Sequence, residues 1–223
     1  IHFIFWLLEY YFINILNNSK ILKSEKGIVP NNDKLIIIMN YTAENTRIRA
    51  GTTHYNEGGV IHYVEYVRNH PDFRKAAKSD ADISCVKLVT PLVYNALVHP
   101  ADINYSDTPL PPNTPVKYIG WGATSILQFV TTKIVNHTMC AEKYKAIKGN
   151  DLITPTMICA GNWAEGGVGS CQGDSGGPLY YNGVVYGIIS FGHSCAKPEY
   201  PGVSTNIASY AQWINETINE NKE

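Results

Sequence analysis

The 223-residue sequence predicts an all-β fold of two β units with one terminal helix laid against them. Three observations lead there. The chain is rich in Tyr, Gly, Thr and Val and poor in Leu and Glu, a composition that favours strands and turns over helices. Short apolar runs such as VKYIGWG (116–122) and GVVYGIIS (183–190) alternate with Gly, Pro and Asn at intervals typical of barrels. Six of the twelve prolines fall between Pro91 and Pro115, where a residue that cannot join a central ladder marks a long extended connector between the two units.

The elements follow in chain order. Residues 1–40 do not resemble the rest, since 29 of the 40 are Ile, Asn, Lys, Phe, Tyr or Leu, residues with AT-rich codons. Glu9 and Asn14 interrupt the apolar run, and no small-x-small cleavage site follows, so a signal peptide is a poor fit. The stretch is also too short and too polar for a membrane span. It is read as a mis-joined reading frame, with a divergent leader or a real amphipathic segment as the alternatives. From Tyr41 the strand-and-turn pattern takes over. At the far end Tyr210, Trp213, Ile214 and Ile218 recur at helical spacing, which predicts an amphipathic helix over 210–220.

Charge and cysteine content narrow the function classes. The net charge is −1, with no basic run and no acidic tail, so neither a nucleic-acid nor a membrane partner is expected. Five cysteines lie at 85, 140, 159, 171 and 195, none in a C-x-x-C pair, which argues against a zinc site; no metal and no cofactor are expected. Their spacing favours two local loops, Cys140–Cys159 and Cys171–Cys195, with Cys85 left over, over five buried thiols. Two such disulfides imply an oxidising, extracellular setting. Sequons at Asn40, Asn104, Asn136 and Asn215 agree weakly, because sequons are common by chance.

The chemistry-bearing stretch is GSCQGDSGGPL, residues 169–179, in which Ser175 stands between glycines and after an aspartate. A serine presented in this way reads as a nucleophile that needs a base beside it. The pattern Gly-x-Ser-x-Gly also fits the nucleophile elbow of α/β-hydrolases, where the acid and the histidine follow the serine. Here no aspartate follows Ser175, the only later histidine is His193, and βαβ alternation is missing.

The longer string resembles the trypsin/chymotrypsin family of serine endopeptidases. RIRAG (47–51), NHPDF (69–73), DISCVKL (82–88), IGWG (119–122), MICAG (157–161), SFG (190–192), YPGV (200–203) and YAQWI (210–214) match that family in order. The resemblance covers about residues 41–223. It implies a chymotrypsin-like double β-barrel, with 41–90 a remnant of an incomplete first barrel, 91–115 the inter-barrel connector, 116–209 the second barrel and 210–220 the helix. It implies that Ser175 attacks the scissile carbonyl and that the backbone N–H groups of Gly173 and Ser175 form the oxyanion hole. Asp82 matches the acid that orients the catalytic histidine, with its neighbour Asp80 as the competing carboxylate. Cys140–Cys159 and Cys171–Cys195 match two family disulfides, and Cys85 is then a buried free thiol.

Pocket residues carry over in the same way. Gly169 stands at the floor position where a trypsin-like enzyme has aspartate, and Ser190, Gly192 and Gly202 match the walls. An open slot with an uncharged floor favours a large apolar or aromatic side chain, because burying a cation without a counter-ion is costly. Glu199, in the adjoining loop, is the one residue that complicates this reading. The resemblance further implies protein or peptide substrates, protein protease inhibitors as partners, and a secreted monomer.

Two family parts are missing. The catalytic histidine comes in a T-A-A-H-C-like string before RIRAG, and here the chain reads KLIIIMNYTAENTRIRAG. His2, His54, His62, His70, His99, His137 and His193 all stand outside that place, and His70 and His193 match structural and pocket-rim positions. The family's activated Ile-Val-Gly-Gly terminus has its nearest counterpart in KGIVP (26–30), where cleavage after Lys26 frees Gly27. Asp174, which matches the aspartate that pairs with that terminus, is thus left without an evident partner. The expectation is an endopeptidase whose chain, as it stands, is nearly inactive. The alternative is a non-catalytic homologue that binds protein partners.

Overall fold

The computed structural model describes residues 13–17, 26–27, 35–38, 43–98, 100–147 and 152–220. Asn40, His2, His99 and the end of the KGIVP string lie outside them. Two sheets carry the fold. The first joins β1 (Ile13–Asn17), β2 (Lys26–Gly27), β3 (Leu35–Ile38), β4 (Thr46–Ala50), β5 (Val60–Asn69) and β6 (Ser84–Leu88) along the open path β2-β1-β4-β5-β6-β3. Three of these strands come from the forty residues that the sequence sets apart. The Ile-rich stretches of β1 and β3 suit a strand, and they pair antiparallel with family strands, β1 with β4 and β3 with β6, while β2 pairs with β1.

The second sheet begins with β7 (Asp102–Ile103) inside the proline-rich connector. It continues with β8 (Pro115–Gly120), β9 (Gln128–Lys133), β10 (Met157–Ala160), β11 (Pro178–Tyr181), β12 (Val184–Phe191) and β13 (Gly202–Asn206). Its path is β10-β13-β12-β11-β8-β9, and β7 pairs parallel with β12. The all-β double-barrel architecture read from the sequence is the one observed.

A shared core joins the two units. Ala81, Ile83 and Cys85 from the first pack with Ile188 and Ile207 from the second and Ile214 from the terminal helix. That helix, Ala211–Asn219, buries Ile214 and Thr217 and leaves its polar face to solvent, as its spacing predicts. Another helix, His137–Lys145, goes unnoticed in the sequence because it is polar on most sides. Asn136 caps it, its side-chain oxygen accepting the Met139 N–H at 3.1 Å, and only Cys140 and Tyr144 are buried. The disulfides Cys140–Cys159 and Cys171–Cys195 form, and Cys85 is free and buried, its thiol pushed up to about 12 by burial. Among the described residues no helix is long and apolar enough to cross a membrane.

Two histidines couple this fold to pH. His62 is buried, with Nδ1 3.3 Å from Thr90 Oγ1. His70 lies edge-on to Tyr210 and Trp213 and accepts the Asp72 N–H on Nδ1. Burial lowers the pKa of both below the usual histidine value. The unfolded chain therefore takes up protons near pH 6.5 that the folded chain refuses, so stability is lost as pH falls below about 6.5. The urea midpoint is expected to drop between pH 7.5 and pH 5.5, and His62→Gln with His70→Gln to shrink that drop. An unchanged drop in the double variant assigns the acid sensitivity elsewhere.

Candidate active site

The nucleophile turn is held from both sides. Gly173 takes a φ of +93°, a left-handed conformation that side chains other than glycine's rarely tolerate. Around it the Asp174 N–H donates to Cys171 O, the Gly176 N–H to Ile189 O and the Gly177 N–H to Asp174 O. Among the described residues no backbone acceptor takes the Gly173 or Ser175 amides. The Cys171–Cys195 disulfide clips the turn to the loop that follows β12.

Asp174 corrects one expectation. It is not left without partners. Its two carboxylate oxygens accept the N–H groups of Gly122 and Cys171, each at 3.0 Å. Two backbone amides fix this carboxylate in place, so contacts within the second unit help to hold the shape of the turn.

Asp82 lies just before β6 and is 5% exposed. Its Oδ2 accepts the Ser190 Oγ–H at 2.7 Å, and its backbone carbonyl accepts the Thr205 Oγ1–H at 3.0 Å. Ser190 in turn offers its carbonyl to Ser175 Oγ at 3.5 Å. Ser190 sits where the β12–β13 register shifts, between Ile189 and Phe191. A bulge of this kind re-aims a residue, and here it sends the hydroxyl to the acid and the carbonyl to the serine. Asp82 and Ser175, distant in sequence, are thus joined through one residue. The sequence marks Ser190 as a pocket wall and gives no sign of this second contact.

The competing carboxylate, Asp80, is also buried, but it faces away from the serine. Its Oδ1 accepts from Thr154 Oγ1 at 2.9 Å and Thr156 Oγ1 at 2.7 Å, on the loop before β10. Ala81 between the two aspartates has a φ of +50°, which turns the side chains to different parts of the second unit. Asp80 acts as an anchor for the segment that carries Asp82.

Of the four residues expected at the pocket, Gly192 and Gly202 lie side by side. A Cβ built on Gly192 would lie 3.9 Å from Gly202 Cα, and one on Gly169 would lie 3.4 Å from Ala196 Cα on the facing segment. Glu199 does not enter the slot. It pairs with Lys143, and its backbone N–H donates to Trp163 O at 2.9 Å. Tyr144, beneath the rim, donates its phenol proton to Pro201 O at 2.7 Å and accepts the His193 N–H at 3.1 Å.

No described histidine bonds to Asp82 or Ser175. His54 stands 4.0 Å from Glu57, His62 meets Thr90, and His70 meets Asp72, Tyr210 and Trp213. His137 Nε2 lies 2.9 Å from Thr154 O, and the His193 ring packs on Tyr200. The strand that leads toward the acid is β3, whose Ile38 pairs with Ser84, two residues beyond Asp82.

A family model described as Trypsin matches residues 36–214. The chain is 38% identical over 180 residues to "Trypsin" of Phaedon cochleariae, covering 78% of this chain and 68% of that protein. It is 34% identical over 209 residues to "Trypsin, alkaline A" of Manduca sexta, covering 89% and 80%. It is also 36% identical over 188 residues to "Vitellin-degrading protease" of Bombyx mori, covering 81% and 69%. With a family model matching residues 36–214 and relatives 34–38% identical over most of its length, the chain belongs to the trypsin family of serine endopeptidases.

Proposed function

We propose that this chain is the scaffold of a secreted endopeptidase that acts on protein chains through an acyl-enzyme, after large apolar or aromatic residues, and that it lacks the base needed to turn over. Ser175 is the nucleophile. The Gly173 and Ser175 amides receive the oxyanion, and Asp82 is the acid meant to orient and charge-balance a histidine. The observation that supports this is the Asp82–Ser190–Ser175 linkage, with Gly173 and Ser175 amides for which no described residue provides an acceptor. Gly169 at the floor, and Glu199 engaged by Lys143, support a neutral slot even though the relatives named above are called trypsins. The two disulfides support secretion.

If only the base is missing, a base supplied from solution should restore part of the chemistry. Hydrolysis of activated esters of N-acyl-Phe and N-acyl-Tyr is expected to rise with added imidazole beyond imidazole's own background. Ser175→Ala abolishes that increment, and N-acyl-Lys esters show a smaller one. An imidazole increment equal in Ser175→Ala refutes the role of Ser175 and favours a binding homologue, the second reading, which rests on the absence of any described histidine at the acid. A larger increment with the Lys esters refutes the neutral slot.

A further inference from the structure

We propose that Tyr118 sets the chemistry at the blind end of the slot, and that the slot takes a tyrosine side chain in preference to phenylalanine. This rests on the neutral-slot reading above and goes on to name the group the slot selects. Gly202 opens β13, and the space a side chain would take there is already occupied. A Cβ built on it would collide with Ser170 Oγ and lie 3.2 Å from Tyr118 Oη. Two hydroxyls therefore stand where the glycine wall leaves room.

Tyr118 rises from β8 and is 2% exposed. Its Oη is 3.3 Å from both Ala160 O and Gly202 O. A phenol has one proton, so it serves one of these carbonyls at a time, and its lone pairs are left to accept. The hydroxyls of Ser170 and Ser204 lie beside it. Ser204 Oγ is buried and has no well-aligned partner of its own among the described residues. Burial raises the Tyr118 pKa, which keeps the phenol neutral.

When Ser170 gives its proton to Tyr118 Oη, the Ser170 oxygen offers the slot only acceptor lone pairs. An acceptor at the end of an apolar slot is unsatisfied until a donor arrives. A lysine or arginine would bring a donor and also a charge, and Glu199, the carboxylate of the adjoining loop, is engaged by Lys143. A tyrosine brings a flat ring and a neutral O–H.

The test uses the chain without turnover. N-acetyl-tyrosinamide, N-acetyl-phenylalaninamide and benzamidine are titrated against it and followed by saturation-transfer NMR. The tyrosine amide is expected to bind about three- to tenfold more tightly than the phenylalanine amide, the range of one net hydrogen bond. Tyr118→Phe keeps the ring in the core and removes only Oη, and it should bring the ratio close to one. Ser170→Ala should do the same, and serves if Tyr118→Phe fails to fold. Equal binding of the two amides to the parent chain, or a ratio unchanged in both variants, overturns the role of the hydroxyls and leaves the slot standing. Benzamidine binding tightest of the three, or no binding by any, overturns the neutral slot and this inference together.

Discussion

Incubated with an organophosphonate serine probe, the chain is expected to remain unmodified at Ser175, and peptide amides to be hydrolysed about 10⁴- to 10⁶-fold more slowly than by a trypsin assayed alongside. The reason is one of proton accounting. A serine hydroxyl attacks a carbonyl or a phosphonate only as its proton leaves, and at neutral pH that proton needs an acceptor within hydrogen-bond reach. Among the described residues Ser175 Oγ meets the Ser190 carbonyl at 3.5 Å, far too weak a base to take a proton. Asp82 Oδ2 accepts the Ser190 hydroxyl, so the observed connection between Asp82 and the serine runs through Ser190. On the reading proposed above, the neutral slot and the Gly173 and Ser175 amides are left, and these would give a modest acceleration over water and no more. Intact-mass measurement after probe treatment gives the readout. A stoichiometric adduct at Ser175 means that a base reaches the serine after all, and the assignment of a disabled centre falls.

The parts of this protein that were legible from sequence are those fixed by local pattern. GSCQGDSGGPL announces a strained serine turn because its glycines sit where φ must be positive, as at Gly173 and Gly176. The prolines of 91–115 announce a connector because proline cannot complete a ladder, and among the described residues the segment pairs only through the two-residue β7, the Asn95–Val98 bridge and Pro115 at the start of β8. The helix at 211–219 is legible from its apolar spacing. What stayed hidden depends on contacts across the fold. Ser190 reads as one pocket wall, yet a register shift in β12 makes it the link between acid and nucleophile. Asp80 and Asp82 are chemically alike and two residues apart, and only their partners separate them: two threonines for one, the bulged serine for the other. The helix at 137–145 carries too few apolar residues to declare itself, being held by a cap, a disulfide and Tyr144. Asp174 was expected to lack a partner because the sequence shows side chains more plainly than backbone amides, and it is amides that hold it.

Gly173→Ala is expected to destabilise the fold by about 3–5 kcal/mol, a large share of the roughly 5–15 kcal/mol that holds a domain together. Two effects combine. At a φ of +93° any residue with a Cβ is strained, by about 1–3 kcal/mol. The added Cβ would also run into the carbonyl of Gly122 and lie 3.1 Å from Gly122 Cα. Those are backbone atoms, so no rotamer change relieves the contact, and the 122 segment must move. Moving it breaks the Gly122 N–H bond to Asp174 and leaves a charged acceptor short of one donor, worth another 1–3 kcal/mol or so. Gly167 separates the two effects. It has a φ of +78°, and a Cβ there meets nothing within 4 Å. Gly167→Ala should therefore show the strain alone, near the low end of that range. The comparison is read from urea midpoints with the m-value unchanged. Equal losses in the two variants mean that the Gly122 contact carries no weight, and the account of how Asp174 and its neighbours hold the turn must be abandoned.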